Sequence, residues 1–392
     1  MADTRGVFRL KLASSLKSKG EWVPLDQVWS SPSKSTLGAF NTGYFAGGGP
    51  SPSAKSTVDK MDFSTESTTY TPSANLTAAR NYICGVGNKT SGYTCGGANP
   101  SSVTTVEKTS YADDTTANVP GAALSEARNF GGASGGSNAG YYGGGSNTSI
   151  VDKINYSSDT TARIPGADLS GNRSNLTAVG NEDATYFAGG NGPLTTVDKL
   201  TYTTDTTTRI PGANLSVSRY EMGGAAGNLT SGYVAGGQPG YTVVDKITYS
   251  TDTASRVPGA DLVLNNKLSF ITTGNRLAGY YAGAGNSPQE SRVQKLTYSS
   301  ESTSSLPSNG YLSSTRGGGG GFSSRENGLG GAPSSPATRF SDGAIQTPNA
   351  GYFGGGNPGP TSKIDKLSFS TETTARIPGA NLSAGRKYLA AA

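Results

Sequence analysis

One phrase, Gly-Tyr-x-x-Gly-Gly, recurs seven times along the 392 residues with few substitutions, and it constrains the fold more than any other feature. Its tyrosines are Tyr44, Tyr93, Tyr141, Tyr186, Tyr233, Tyr280 and Tyr352. The first five steps between them are 49, 48, 45, 47 and 47 residues, which is the period typical of β-propeller blades. The last step is 72 residues, so the sixth repeat carries an insertion at about 308–335.

Three further phrases accompany each tyrosine. Residues 151–156, Val-Asp-Lys-Ile-Asn-Tyr, alternate apolar with polar and lead into a Ser/Thr/Asp turn, which indicates a β-hairpin whose turn is capped by Asp and Ser side chains. The phrase at 209–216, Arg-Ile-Pro-Gly-Ala-Asn-Leu-Ser, places Pro at a strand end, as in an outermost strand. Small apolar segments before each tyrosine suit strands that converge on a central channel. We therefore predict an all-β propeller of seven four-stranded blades; a linear β-solenoid is the alternative.

A charge pattern repeats with the blades. An acid follows the first Val or Ile of the second phrase, and an Arg lies 13 or 14 residues before the tyrosine. The sixth repeat lacks both, with Gln294 at the acid position and Asn266 and Lys267 at the Arg position. We predict that each Arg forms a bidentate, structural ion pair with the acid of its own blade. The predicted pairs are Arg80–Glu107, Arg128–Asp152, Arg173–Asp198, Arg219–Asp245 and Arg339–Asp365.

The first repeat departs from this pattern and suggests how the ring closes. Asp59 is present, but Ser31 occupies the Arg position. The C-terminal stretch around Arg386 resembles the start of another repeat. We therefore predict that residues 387–392 form the inner strand of blade 1 and that Arg386 pairs with Asp59. Within the insertion, Arg316 and the glycines after it resemble the first half of a decayed blade, which is either a loop or a spare hairpin.

Residues 1–35 do not belong to the repeat, so we divide the chain into an N-terminal arm with its linker, 1–35, and the propeller, 36–392. Phe8 lies in an alternating stretch, and Trp22 and Trp29 are the only tryptophans of the chain. Because Trp is favoured at the energetic centres of interfaces, these aromatics are predicted to attach the arm to a partner. The alternative is that they pack beneath the first blade.

Composition excludes several kinds of chemistry. The chain has no histidine, so Ser-His-Asp, Cys-His and His-ligated zinc sites are impossible. Its net charge of +5 comes without a Lys/Arg run, so we expect no nucleic-acid partner. No apolar run has membrane-spanning length and no secretory signal is present, so we expect cytosolic synthesis without membrane insertion. Cys95 suits a small core position; a cross-strand disulfide with Cys84 stays open, although a cytosolic origin argues against it. No cofactor or metal is expected.

The double glycine, the third-strand aromatic and the Arg before the next repeat resemble kelch propellers, which mainly mediate protein interactions; the fourth-strand Trp of kelch is missing. The chain is more similar to kelch-like virion structural proteins of marine tailed phages, especially those infecting cyanobacteria. That likeness lies in the opening residues 1–11, in Trp22-Val-Pro-Leu and Val28-Trp29, and in the phrases at 351–356 and 368–379. It implies a tail, fibre or capsid-surface component in a virion, anchored through its N-terminus to other virion proteins in multiple copies. It leaves a contact with host surface glycans open.

Three functions are therefore compared. The first is a non-enzymatic virion protein made in the host cytoplasm, and the second is a cellular kelch-type interaction scaffold. The third is an enzyme such as a sialidase or a glycan lyase. Propeller glycosidases need a carboxylate pair that flanks the scissile bond. The acids of this chain recur once per blade, as structural residues do, so we expect no catalytic residues.

Overall fold

A computed structural model describes residues 42–49, 54–220, 224–238, 242–263, 270–284 and 290–323, and the backbone of four further strands between 345 and 376. The chain divides into two compact units. One unit is Ser33–Gly331, and the other consists of Met1–Pro32 and Ala332–Ala392. The described part is β-strand connected by turns and short 3₁₀ segments. No helix among these residues is long and apolar enough to span a membrane.

The unit Ser33–Gly331 contains six antiparallel sheets, and each has an inner, a second, a third and an outer strand in that order. The inner strands are β4 (Cys84–Gly87), β8 (Gly132–Gly135), β12 (Thr177–Gly180), β16 (Gly224–Gly227), β20 (Ile271–Gly274) and β24 (Gly320–Ser323). The second strands are β1 (Thr42–Ala46), β5 (Ser91–Cys95), β9 (Ala139–Gly143), β13 (Ala184–Ala188), β17 (Ser231–Ala235) and β21 (Ala278–Ala284). The third strands are β2 (Val58–Asp62), β6 (Val106–Ser110), β10 (Val151–Asn155), β14 (Val197–Thr201), β18 (Val244–Thr248) and β22 (Glu290–Thr297). The outer strands are β3 (Ser67–Tyr70), β7 (Thr115–Asn118), β11 (Thr160–Arg163), β15 (Thr206–Arg209), β19 (Thr253–Arg256) and β23 (Ser302–Ser305).

A 3₁₀ turn follows each outer strand, where the Ile-Pro-Gly phrase predicted a strand end. These turns are Pro72–Ala74, Pro120–Ala122, Pro165–Ala167, Pro211–Ala213, Pro258–Ala260 and Ser308–Gly310. The leucine after each turn is buried, as Leu215 is at 3% exposure. Each of these leucines therefore holds the returning loop against the core.

The hydrophobic cores lie between neighbouring sheets rather than within one. All five residues of β13 are buried, because blades cover both faces of this strand. Tyr186 packs with Val234 of the following blade, whereas Phe187 packs with Tyr141 of the preceding one. Strands buried on both faces read as continuous apolar runs, which explains why the Gly-Tyr strands lack polar alternation.

The ring closes with six blades, so the prediction of seven was wrong. Each inner strand packs against the next, from β4 through β8, β12, β16 and β20 to β24, and β24 packs against β4. Blade 1 is the sheet that contains β1, β2 and β3, and the following blades are numbered in chain order, so that blade 2 begins with β4. The inner strand of blade 1 is β24, which pairs with β1. This strand comes from the segment predicted to be an insertion. The residues Gly320–Ser323 therefore supply the strand that we assigned to residues 387–392. In the described ring, blade 1 is the one blade whose inner strand does not precede its other strands in the sequence. The residues that directly follow blade 6 supply this strand, and they come before residues 387–392 in the chain.

Close packing of the inner strands explains their glycines. A Cβ added to Gly85 would lie 2.2 Å from the carbonyl oxygen of Gly321, a distance that real Cβ atoms do not reach. Only glycine allows the backbones of β4 and β24 to approach so closely.

Replacing Gly85 by Ala should therefore push β24 away from β4 and lower the melting temperature of the whole ring. The matched control is Gly171→Ala, because a Cβ at this exposed position meets nothing within 4 Å. Thermal unfolding followed by circular dichroism compares the two variants. Equal melting temperatures would contradict the closure of the ring between these strands.

A seventh four-stranded sheet belongs to the other unit. Its strands are β25 (Ile345–Thr347), β26 (Ala350–Gly354), β27 (Ile364–Ser368) and β28 (Thr373–Arg376). Tyr352 is the register partner of Lys366, as Tyr93 is of Lys108 in blade 2. The seventh repeat therefore forms a blade-like sheet of its own. Asp365 lies on β27, but Arg339, Arg386, Phe8, Trp22 and Trp29 lie outside the described residues, and so do the predictions that depend on them.

Candidate functional site

The channel at the centre of the ring has two different ends. At one end the inner strands begin and the second strands end in their glycine pair; we call this end the mouth face. At the other end, which we call the hairpin face, tight turns such as Asn88–Ser91 connect inner to second strands. A cavity of about 110 Å³ lies at the mouth, lined by the first residues of the six inner strands and the residues just before them.

Below the mouth, buried ion pairs hold the inner strands. Arg128 and Asp152 are both fully buried, and Arg128 Nη2 donates to Asp152 Oδ2. Arg128 Nη1 donates to the carbonyls of Gly144 and Ile150, at 2.8 Å each. Asp152 also accepts from the backbone N–H of Ser125, at 3.1 Å. Each such clamp therefore ties the returning loop to the second and third strands of its own blade.

The structure brings together four of the predicted pairs and replaces one. The pairs in contact are Arg80–Glu107, Arg128–Asp152, Arg173–Asp198 and Arg219–Asp245. Each contact joins one Nη2 to one carboxylate oxygen, so the prediction of a bidentate geometry was wrong. Burial lowers the pKa of the Arg219 guanidinium, although the charge of Asp245 opposes this shift. Burial therefore has a larger effect on the Arg219 guanidinium than its paired acid has.

Asp59 pairs with Arg316, whereas Arg386, its predicted partner, lies outside the described residues. Arg316 Nη2 lies 2.5 Å from Asp59 Oδ2, and both side chains are fully buried. Arg316 also donates to the carbonyls of Thr57 and Phe45, at 3.1 Å each. The clamp of blade 1 thus joins the two ends of the ring. Blade 6 has no acid at this position, and its Gln294 is buried there.

A second charged network connects neighbouring blades. Tyr93 Oη donates to Asp159 Oδ1 at 2.6 Å, and Lys108 Nζ lies 2.8 Å from the same carboxylate. Tyr93 and Lys108 belong to blade 2, whereas Asp159 lies in the hairpin turn of blade 3. The ring of Tyr93 also stacks on Tyr156 of blade 3, with centroids 5.0 Å apart. One blade therefore supplies the hydrogen-bond donors and one aromatic side chain. The next blade supplies the acid and the second aromatic side chain.

All six junctions of the described ring carry this bridge. The Tyr/Lys donors and their acids are Tyr44/Lys60 with Asp114, Tyr93/Lys108 with Asp159, Tyr141/Lys153 with Asp205, Tyr186/Lys199 with Asp252, Tyr233/Lys246 with Glu301, and Tyr280/Lys295 with Glu66. These bridges were not predicted from the sequence, because the acids of the hairpin turns were expected to cap their own turns. The first polar residue of the turn does cap it, as when Asn155 accepts from Ser157 N–H at 2.9 Å. The recurrence of Tyr, Lys and the last turn acid at fixed positions was the available signal.

High pH should weaken the ring through these tyrosines. Burial, the hydrogen bond to Asp159 and the charge of Asp159 raise the pKa of Tyr93 above its ordinary value of 10.0. A pKa that is higher in the folded than in the unfolded chain gives a stabilisation that is complete below the unfolded value and is lost as the pH rises through the folded one. We therefore expect the free energy of unfolding to fall above about pH 10, with tyrosinate absorbance from the bridges appearing only as the ring unfolds.

The comparison of Tyr93→Phe with Tyr70→Phe tests this prediction. Tyr70 is 42% exposed on the outer strand β3 and belongs to no bridge. At neutral pH the Tyr93 variant should lose about 1 kcal/mol of its free energy of unfolding, because one hydrogen bond is removed. As the pH rises above about 10, its free energy of unfolding should fall less steeply than that of the wild type. Ionisation of the bridge tyrosines in the folded protein near pH 10 would contradict the assignment.

Four of the six blades have a residue with left-handed backbone at the mouth. Two residues after the clamp arginine, φ is 53° at Tyr82, 56° at Phe130, 56° at Asn175 and 66° at Gly318. This conformation lets the blades hydrogen-bond to each other: Phe130 N–H donates to Tyr82 O at 3.3 Å, and Asn175 N–H to Phe130 O at 2.7 Å. We call this row of hydrogen bonds the girdle. Glycine and asparagine adopt left-handed backbone readily, whereas aromatic residues rarely do.

The aromatic side chains of the girdle contribute little to stability. A left-handed conformation costs a residue such as Tyr82 roughly 1–2 kcal/mol. The rings of Tyr82 and Phe130 stack with centroids 3.9 Å apart, and such a pair returns about 0.5–1.5 kcal/mol. The strain of two such residues therefore exceeds what one stacked pair returns, and both rings are only half-buried. Stability alone therefore does not explain why Tyr and Phe occur where Asn or Gly would maintain the girdle.

The two cysteines are register partners on β4 and β5, and both are free thiols. Burial raises the pKa of Cys84 to about 12, so this thiol stays protonated at neutral pH and is a poor nucleophile. Cys95 is fully buried, which confirms its predicted place in the core.

Carboxylates of the described residues serve the scaffold rather than the cavity. None of the residues that line the cavity is acidic or basic. Across the described ranges, no three His, Cys, Asp or Glu side chains converge as a metal site would require. The recurrent acids are used by clamps and bridges. Among the described residues, the cavity lining therefore offers aromatic, amide, hydroxyl and backbone groups to a ligand, but no charged side chain.

The chain enters and leaves the ring at one place. Gly43, near the start of β1, is the register partner of Ser323, the last residue of β24. Both strand ends lie on the hairpin face of blade 1. The mouth face is therefore the opposite end of the channel from the first residue of β1 and the last residue of β24.

No known protein family matches the chain, and no curated protein matches it either.

Proposed function

We propose that this chain is a non-enzymatic structural protein of a virus particle that displays a propeller for binding. The observation that carries the proposal is the single point at which the chain enters and leaves the ring, on the face opposite the mouth. A closed ring attached at one edge can present its far face to an external partner. The similarity of residues 1–11 and 22–29 to phage virion proteins supports a tail, fibre or capsid-surface position.

In this proposal the two parts of the chain have different tasks. Phe8, Trp22 and Trp29 attach the N-terminal arm to other virion proteins, and the ring contacts the host surface, including its glycans. Six bridges of the same kind make the ring rigid, so a ligand loses little free energy in ordering it. No cofactor, nucleic acid or membrane insertion is required, and several copies per particle would add avidity.

A kelch-type interaction scaffold in a cell is the second candidate, and the β-propeller fold favours it equally. The two candidates differ in where the protein is found. A scaffold would be soluble and would bind a cellular partner, whereas a virion protein would purify with particles.

Antibodies against the full chain should label the surface of purified particles of a virus that carries this gene. Particles assembled without the protein should adsorb to host cells more slowly. Normal adsorption of such particles would remove the host contact and leave a structural role. Absence of the protein from particles, together with a soluble partner bound by the full chain, would favour the scaffold.

A further inference from the structure

Two aromatic residues at the channel mouth have a backbone conformation that aromatic residues rarely adopt. Tyr82 and Phe130 both have left-handed φ, and their half-buried rings stack at the edge of the cavity. Asn175 and Gly318 take the same part in the girdle without an aromatic ring. Strained positions persist where the surrounding structure holds them, and they concentrate at ligand sites. The placement of these two rings therefore indicates a binding role.

Neutral hydrogen-bonding groups lie beside the rings, on the blade that carries Phe130 and on the blade that follows it. Asn175 Nδ2 donates to Asn191 Oδ1 at 2.9 Å, and Asn191 Nδ2 donates to Ser174 Oγ at 2.8 Å. On blade 3, Ser146 Oγ donates to Asn129 Oδ1 at 3.2 Å. These amides and hydroxyls hold one another in place, and all of them except the buried Ser174 are at least partly exposed. They can exchange hydrogen bonds with a ligand that carries several hydroxyl groups.

We propose that Tyr82 and Phe130 form the platform of a binding site for neutral carbohydrate at the channel mouth, an inference that rests on the display role proposed above. A pyranose ring has an apolar face of C–H groups that stacks on an aromatic ring. Its hydroxyl groups lie at the edges, where Asn129, Asn175 and Asn191 can pair with them. The cavity of about 110 Å³ is small, so the sugar lies across the mouth and only a substituent enters.

The absence of charge in the described cavity lining decides between ligand classes. Phosphate, sulphate and carboxylate groups are usually bound by Arg or Lys. The clamp arginines next to the mouth, such as Arg128, are buried and already bound to their own acids. A nucleic acid or an acidic glycan would therefore find no cation in this lining. Neutral sugars suit the aromatic and amide groups that are present.

The substitutions Tyr82→Asn and Phe130→Asn test the site. Asparagine tolerates left-handed backbone and occupies this place in blade 4, so the girdle and the melting temperature should be maintained. The full chain is applied to purified neutral oligosaccharides of hexose, deoxyhexose and N-acetylhexosamine, printed beside sialylated and sulphated counterparts. The best neutral ligand is then titrated by calorimetry. We expect each variant to bind it about tenfold more weakly or worse, as for other aromatic centres of interfaces.

Tyr70→Asn is the matched control, because it removes an exposed aromatic ring from the outer strand where blade 2 has Asn118. It should bind as the wild type does. Wild-type affinity in both mouth variants would overturn the site while leaving the display role standing. Binding of acidic glycans only, or of no glycan at all, would overturn the neutral-ligand assignment. The particle experiment decides the display role separately.

Discussion

Replacing Arg316 by methionine should lower the free energy of unfolding of the ring by about 3–5 kcal/mol, whereas Arg386→Met should leave it unchanged. Methionine retains the apolar stem of the side chain but strands the fully buried Asp59 without its cation. The loss is large because a buried, unpaired charge is expensive. Arg316 also precedes β24, so its removal weakens the strand that joins the two ends of the ring.

Urea unfolding of the full chain measures this difference, and native-state hydrogen exchange locates it. In the Arg316 variant, amide protons of β24 and β1 should exchange faster, because these two strands are joined only by ring closure. Arg219→Met provides the internal comparison, since it breaks a clamp in blade 5 away from the closure. That variant should lose similar stability without selective exchange in β24. A destabilised Arg386→Met would instead favour closure by the C-terminal residues.

The architecture of one blade could be predicted from the sequence, but the size of the ring could not. Alternation in Val-Asp-Lys-Ile predicts the third strand, and the Pro of the third phrase predicts the end of the outer one. The number of blades depends on which segment completes blade 1. Two segments carry the same signal, an Arg followed by small residues, at 316–323 and at 386–392. Local patterns do not rank these competitors, because the choice depends on the closure of the whole ring.

The prediction of the functional surface reached a similar limit. Pairing of Arg with the acid of its own blade follows from their common recurrence. The inter-blade bridges were equally visible as recurring Tyr, Lys and turn acids, but their pairing crosses from one repeat to the next and so depends on the packing of blades. Tyr82 and Phe130 lie in the recurring segments before Tyr93 and Tyr141, where no sequence pattern sets them apart. Their significance lies in φ values that no sequence pattern displays.

Asp198→Asn should cost about 3–5 kcal/mol, because it leaves the Arg173 guanidinium buried beside a neutral amide. The double variant Arg173→Met with Asp198→Asn should cost clearly less than the sum of the two single changes. Removing both charges eliminates the desolvated ion instead of stranding it. Blade 6 provides a natural precedent, since its four-stranded sheet forms around a buried Gln294 at the acid position.

A double-mutant cycle by urea unfolding measures the coupling, which we expect to be on the order of 1–3 kcal/mol or more. Thr208→Ala on the outer strand β15 of the same blade is the control, because Thr208 is an exposed strand residue outside the clamp; it should change stability by about 0.5 kcal/mol or less. Additive losses at Arg173 and Asp198 would mean that each side chain acts through its other contacts, such as the bonds from Arg173 to the carbonyls of Gly189 and Thr196. A strong coupling would instead show that the ring depends on pairing within each blade, with the carbonyl contacts serving mainly to orient the guanidinium.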